Sequence, residues 1–183
     1  HKYPIADNDT PMLSADRLEY TLSNGLGACK NIWNLEDVKE IYDNIEIQKN
    51  EQGIEELGFK DIKIAEKFVK GMRRLSNSYI DNKRKFSMQF LADIMKIMSS
   101  QNLITKKDLY ELSEKEVIER IENCDYADIS KKFDIWKNAK EIKESDKEVK
   151  DKYCVSIDAK IRYINPLVNG IRISEISEVA KKE

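Results

Sequence analysis

Three features of this sequence predict a mainly α-helical fold with a small β element near the C-terminus. Apolar residues recur every three or four positions over long stretches, as at Ile62, Ala65, Phe68/Val69, Met72, Leu75 and Tyr79. Only six Gly and three Pro occur in 183 residues, too few for a fold built from many tight turns. One late stretch, residues 153–163, instead alternates strictly with period two. The length suits one full-sized domain, or one domain with an appendage, and needs no disulfide or metal staple.

Residues 1–11 read as an ordered loop, because two prolines and Asp7-Asn8-Asp9 oppose helix. The same three residues offer oxygen ligands. They lack the glycine and terminal Glu of a calcium loop, so a turn-forming cluster is the preferred reading. Ser14 is the N-cap of a first helix, which stops at Asn24-Gly25. Its apolar residues Leu18, Tyr20, Leu22 and Leu26 form no single stripe, so this helix is expected to be touched on more than one side. Residues 27–34 are a connector, with Trp33 expected to be partly exposed. Asn34 caps a second helix through Leu35, Val38, Ile41 and Ile45. Residues 46–58 are polar, contain two glycines and are read as holding a turn.

The helix over residues 62–79 follows, then another through Phe86, Phe90, Ile94 and Met98. Thr105 and Ser113 introduce two short helices, 106–112 and 114–122, with Glu116 at the third helical position of the second. Ile129, Phe133 and Trp136 mark one more. Phe86, Phe90, Phe133 and Trp136 are assigned to the core. Residues 140–152 are almost all charged. The period-two run Tyr153 to Tyr163 is then a strand, paired with residues near 139–143 and ended by Asn165-Pro166. A short helix from Ser174 or Ser177 closes the chain. The domain division this predicts is a helical part, 1–139, and a strand-containing appendage, 140–183.

The charge balance of 32 Lys/Arg against 34 Asp/Glu argues against a generic nucleic-acid binder. Residues 60–85 depart from it. Nine cations (Lys60, Lys63, Lys67, Lys70, Arg73, Arg74, Lys83, Arg84 and Lys85) face three acids (Asp61, Glu66 and Asp81). This is either a solvated helix face or a phosphate-facing surface. In the second reading Arg73, Arg74 and Lys83 reach a triphosphate and Tyr79 lies near the base or sugar. Cys29, Cys124 and Cys154 are too few and too scattered for a disulfide framework or zinc site, which predicts reduced thiols and a cytoplasmic setting. No apolar run reaches the length of a membrane span. Self-association into a homo-oligomer stays open.

The informative stretch is Ser14-Ala15-Asp16-Arg17-Leu18-Glu19-Tyr20-Thr21-Leu22-Ser23-Asn24. On a helix, Asp16, Tyr20 and Asn24 line one face, with Arg17 beside Asp16. Asp supplies a hard oxygen ligand, Arg forked donors for phosphate oxygens, and Tyr a stacking ring or a donor to a sugar hydroxyl. A plain surface face is the alternative. Ala-Asp-Arg-Leu-Glu-Tyr resembles the last metal-binding helix of the HD superfamily of metal-dependent phosphohydrolases, in its deoxynucleoside triphosphate triphosphohydrolase branch. The resemblance implies a multi-helical HD-like domain portion. It gives Asp16 a metal-ligand role, Arg17 a phosphate role and Tyr20 a sugar role, with a nucleotide as substrate and a divalent metal ion as cofactor. It is specific over residues 14–24 and loose over the later elements, including Arg162-Tyr163-Ile164-Asn165-Pro166-Leu167-Val168. Asn24 stands where the branch has an acid.

The family's His and His-Asp doublet do not occur here, and the sole histidine, His1, precedes Lys2. With no initiator Met, this is expected to be the C-terminal fragment of a longer phosphohydrolase that by itself neither holds the catalytic metal nor turns over nucleotides. The rival expectation is a catalytically silent helical interaction or regulatory module.

Overall fold

A computed structural model describes residues 2–28, 32–158 and 163–182. It is mostly helical with one small four-stranded sheet, and it divides into two compact units. One comprises His1–Ile80 with Lys160–Glu183, the other Asp81–Ala159. These units do not coincide with the division expected at residue 139. The C-terminal segment belongs with the first eighty residues, because its short strands complete their sheet and its Ile164, Val168 and Ile173 enter their core.

In the first unit, α1 (Ala15–Ser23) starts at Ser14, whose hydroxyl accepts from the Arg17 amide. It runs into a π-helical turn, Asn24–Ala28, where the sequence predicts a plain stop. α2 (Leu35–Asp43) is opened by a reciprocal cap between Asn34 and Asp37. Residues read as a polar turn instead form β1 (Ile45–Lys49) and β2 (Glu55–Phe59), antiparallel with Ile47 opposite Leu57. The Asn50 carboxamide oxygen accepts the Gln52 and Ile54 amides and closes the hairpin. α3 (Ile62–Tyr79) is the expected long helix, capped by Asp61. β3 (Leu167–Val168) runs parallel to β2, and β4 (Ile171–Arg172) returns antiparallel to β3. Asn169 and Gly170 both adopt positive φ, the geometry of a two-residue hairpin turn. α8 (Ile173–Ile176) and α9 (Glu178–Lys182) lie against α3.

Trp33, expected to be partly exposed, is a core residue with 3% of its surface accessible. Its indole stacks on Phe68 at 6.0 Å and passes close to two glycines. A Cβ at Gly25 or Gly71 would lie 2.2 or 2.1 Å from the ring. Only a residue without a side chain permits that approach. A buried ion pair closes the sheet region: the Arg172 guanidinium forks onto the Glu56 carboxylate and also reaches Glu51. Burial disfavours the Arg172 charge, but Glu56 and Glu51 outweigh it and hold its pKa above the ordinary value.

The second unit contains α4 (Asn82–Ser100), α5 (Lys106–Glu111), α6 (Glu114–Glu122) and α7 (Ala127–Asn138). Thr105 with Asp108, and Ser113 with Glu116, form the reciprocal caps that the sequence predicts. Phe90, Ile94, Met98, Ile121, Ile129 and Phe133 form its core. Phe86 and Trp136 pack against that core, and the Trp136 indole N–H donates to Ser87.

The strand expected over residues 153–163 is absent at 153–158, and residues 139–143 form no strand either. Ala159, Lys160, Ile161 and Arg162 of that run lie outside the described residues, as do His1 and Cys29. A period-two pattern forms a strand only where a partner edge exists, and the charged 140–152 stretch offers none. Tyr153 docks on a helix instead. Its ring stands edge-on to Phe90 at 4.3 Å, and its hydroxyl donates to Asp93 at 2.6 Å. Burial and that carboxylate push the Tyr153 phenol well above its ordinary pKa.

Candidate functional site

Helix α1 is fixed from its first turn. Arg17 bends back over the N-terminal loop, where Nη1 donates to the Asn8 side-chain oxygen and, at 2.8 Å, to the Met12 carbonyl. Nη2 donates to the Asn8 carbonyl. Asn8 is buried, and its amide group donates to the carbonyls of Pro4 and Leu13. The Asp7-Asn8-Asp9 stretch is thus a turn whose central side chain is enclosed by hydrogen bonds, in line with the preferred reading. Asp16 contributes its amide to the Ala6 carbonyl and keeps an exposed side chain. Tyr20 is half-buried one turn on. Asn24 opens the π-helical turn, so the regular one-face spacing from Asp16 through Tyr20 ends there.

The basic residues of the 60–85 stretch sit in different surroundings. Lys67 is paired with Asp37 and Glu40 of α2, which hold its ammonium above its ordinary pKa. Arg73 is half-buried, and its Nη1 donates to the Lys182 carbonyl at 2.6 Å. Arg74 and Tyr79 are exposed on α3. Lys83 is exposed in the first turn of α4, in the other unit.

A cavity of about 430 Å³ opens between α3 and the C-terminal segment. Arg73 lines it, but Asp16, Arg17, Tyr20, Arg74 and Tyr79 do not. Tyr20 and Arg73 therefore do not share this cavity. The cause is the facing of α3: its Phe68, Val69 and Met72 enter the core shared with Leu18 and Leu22, whereas Arg73 is turned toward α9.

Among the described residues no group of three or more His, Cys, Asp and Glu side chains is placed to hold a metal ion. Of the two exposed carboxylates on α1, Asp16 and Glu19, Asp16 alone stands at the position that the resemblance gives to a metal ligand. That carboxylate does not amount to a complete centre for a transition metal, and no catalytic step follows from it. No helix of the described residues is long and apolar enough to cross a membrane.

Two features of this unit escape sequence reading. Glu56 and Arg172 are 116 residues apart, and nothing local marks them as partners. The Asn165–Ser174 pair, with its two reciprocal hydrogen bonds, is likewise a product of the tertiary fold. One missed element did carry a signal: Val168-Asn169-Gly170-Ile171 has the composition of a tight hairpin. Comparison with known protein families, with curated proteins and with solved structures finds no match for this chain.

Proposed function

We propose that Asp16 is one ligand of a divalent-metal site in a nucleotide phosphohydrolase of the HD type, whose remaining ligands come from residues outside these 183. The observation that carries this reading is the exposed Asp16 carboxylate on a helix turn held by Arg17. A ligand that must meet others in a fixed geometry needs such a mount. The likeness of Asp16-Arg17-x-x-Tyr20 to the triphosphohydrolase branch supplies the reaction class and a deoxynucleoside triphosphate as substrate class. Tyr20 keeps its place beside the substrate in this reading. Arg17 becomes a positioning residue, because its guanidinium is engaged by Asn8 and Met12.

That same engagement favours a second reading, a silent helical module in which Asp16-Arg17 is only a helix start. Asn24 in place of an acid points the same way. The two separate in the full-length protein. Asp16→Ala should abolish phosphate or triphosphate release across a nucleotide panel and lower the bound metal measured by mass spectrometry, with an unchanged circular dichroism spectrum. Wild-type metal content and turnover in that variant would leave the silent module standing.

A further inference from the structure

We infer that the cavity between α3 and the C-terminal segment is a binding site for a small amphipathic anion, a ring-bearing molecule with one phosphate group. This inference rests on residues other than those of the α1 reading. The cavity, about 430 Å³, has the size that holds a mononucleotide-sized ligand. Its lining divides by chemistry. Met72 and Ile173 belong to an apolar wall that continues the core. Arg73 and Lys181 contribute two cations from two elements, α3 and α9. None of the described lining residues is acidic.

Asn165 and Ser174 sit between these regions as a preset polar pair. Asn165 Nδ2 donates to Ser174 Oγ at 2.8 Å, and the Ser174 amide donates to Asn165 Oδ1 at 3.1 Å. That mutual locking fixes both side chains before any ligand arrives, which lowers the ordering cost of binding. Tyr163 lines the cavity with more than half of its surface exposed, where a planar ligand group can stack. Arg73 also tethers α9 through the Lys182 carbonyl, and Ser177 donates its hydroxyl to Glu66 of α3. The two clasps hold the Lys181-bearing helix over the apolar wall. The Lys181 ammonium pairs with Glu178 at 2.8 Å, an exposed contact that a phosphate can displace at small cost.

A ligand with only a ring gains the wall and forgoes the cations. A bare phosphate gains the cations and forgoes the wall. The site therefore selects molecules that carry both.

The test is calorimetric titration of the whole chain with adenosine, cytidine, guanosine and uridine monophosphates, with anilinonaphthalene sulfonate as a generic aromatic anion. Adenosine and inorganic phosphate serve as the separated halves. We expect saturable one-to-one binding of at least one aromatic anion, tighter than either half. Lys181→Glu changes an exposed side chain and leaves the core untouched. It should weaken that binding by about tenfold, the loss of one charge-assisted contact. Arg73→Gln keeps a donor for Lys182 and should weaken it further, with the melting temperature of each variant checking the fold. Asp16→Ala should bind as wild type. The inference is overturned if none of the five anions binds saturably, if Lys181→Glu and Arg73→Gln leave binding unchanged, or if Asp16→Ala removes it. The last outcome would assign the anion to the α1 face and leave the phosphohydrolase reading intact.

Discussion

Replacing Arg17 removes hydrogen bonds to the Asn8 side chain, the Asn8 carbonyl and the Met12 carbonyl together, and takes the guanidinium donor from the buried Asn8 side-chain oxygen. Arg17→Ala is therefore expected to cost about 2–4 kcal/mol, and Arg17→Lys to recover only part of it, since an ammonium cannot span the fork. Urea unfolding followed by the fluorescence of Trp33 and Trp136 reads this. An Arg17→Ala midpoint equal to wild type would remove the anchoring role. Gly71 is constrained by contact. A methyl there would meet Trp33 at 2.1 Å, within a packed core. Gly71→Ala should destabilise by about 1–3 kcal/mol and shift the Trp33 emission, whereas Gly27→Ala has open space and should be mild. At Glu56 and Arg172 the expected cost is larger. Arg172→Met leaves a fully buried carboxylate without its cation, a loss of about 3–5 kcal/mol, and the double change with Glu56→Leu should recover much of it.

The short helices α5 and α6 are the elements most completely legible in the sequence. Thr105 and Ser113 precede acids three residues on, and such a cap is formed by neighbours, so tertiary context cannot overrule it. The same locality gives a pH prediction. The Thr105 hydroxyl and amide, with Arg120, hold the Asp108 carboxyl at about 2, below its ordinary 3.8. A depressed folded-state pKa means stability that is present above the unfolded value and lost as pH falls from about 4 toward 2. Acid titration of helicity should therefore show a component over that interval that Asp108→Asn removes; an identical acid profile in the variant would contradict it. The hairpins were less legible for the opposite reason. β1 and β2 carry Glu46, Gln48, Glu55 and Glu56 among few apolar residues, and the sheet buries Glu56 only because Arg172 arrives from another part of the chain. The period-two run from Tyr153 shows the converse failure: alternation without an edge to join. At the candidate site, the residue types and helical spacing of Asp16, Arg17 and Tyr20 could be read directly. What Arg17 touches could not, because Asn8 and Met12 become its partners only once the loop has turned.

One unit of this molecule is interrupted in sequence by the other. Removing residues 160–183 should therefore take β3, β4, α8 and α9 from the first unit and spare the second. Hydrogen exchange should show lost amide protection in β2 and α3 with protection retained in α4 and α7. Uniform loss over both units would contradict the division. Arg73 belongs to this scale too. Its partner carbonyl is 109 residues away, so the basic run of residues 60–85 could not show which of its members turn inward. The interruption also sets an order of events at the ribosome. Residues 81–159 emerge with a core cluster of their own among the described residues and can fold as they are made. Residues 1–80 emerge earlier yet must wait, with Gly58 and Phe59 lacking their parallel neighbour and Glu56 lacking its cation, until Leu167 to Arg172 have been translated. The half synthesised first is the half completed last, and its open strand edge makes that interval the one in which a nascent-chain chaperone has most to protect.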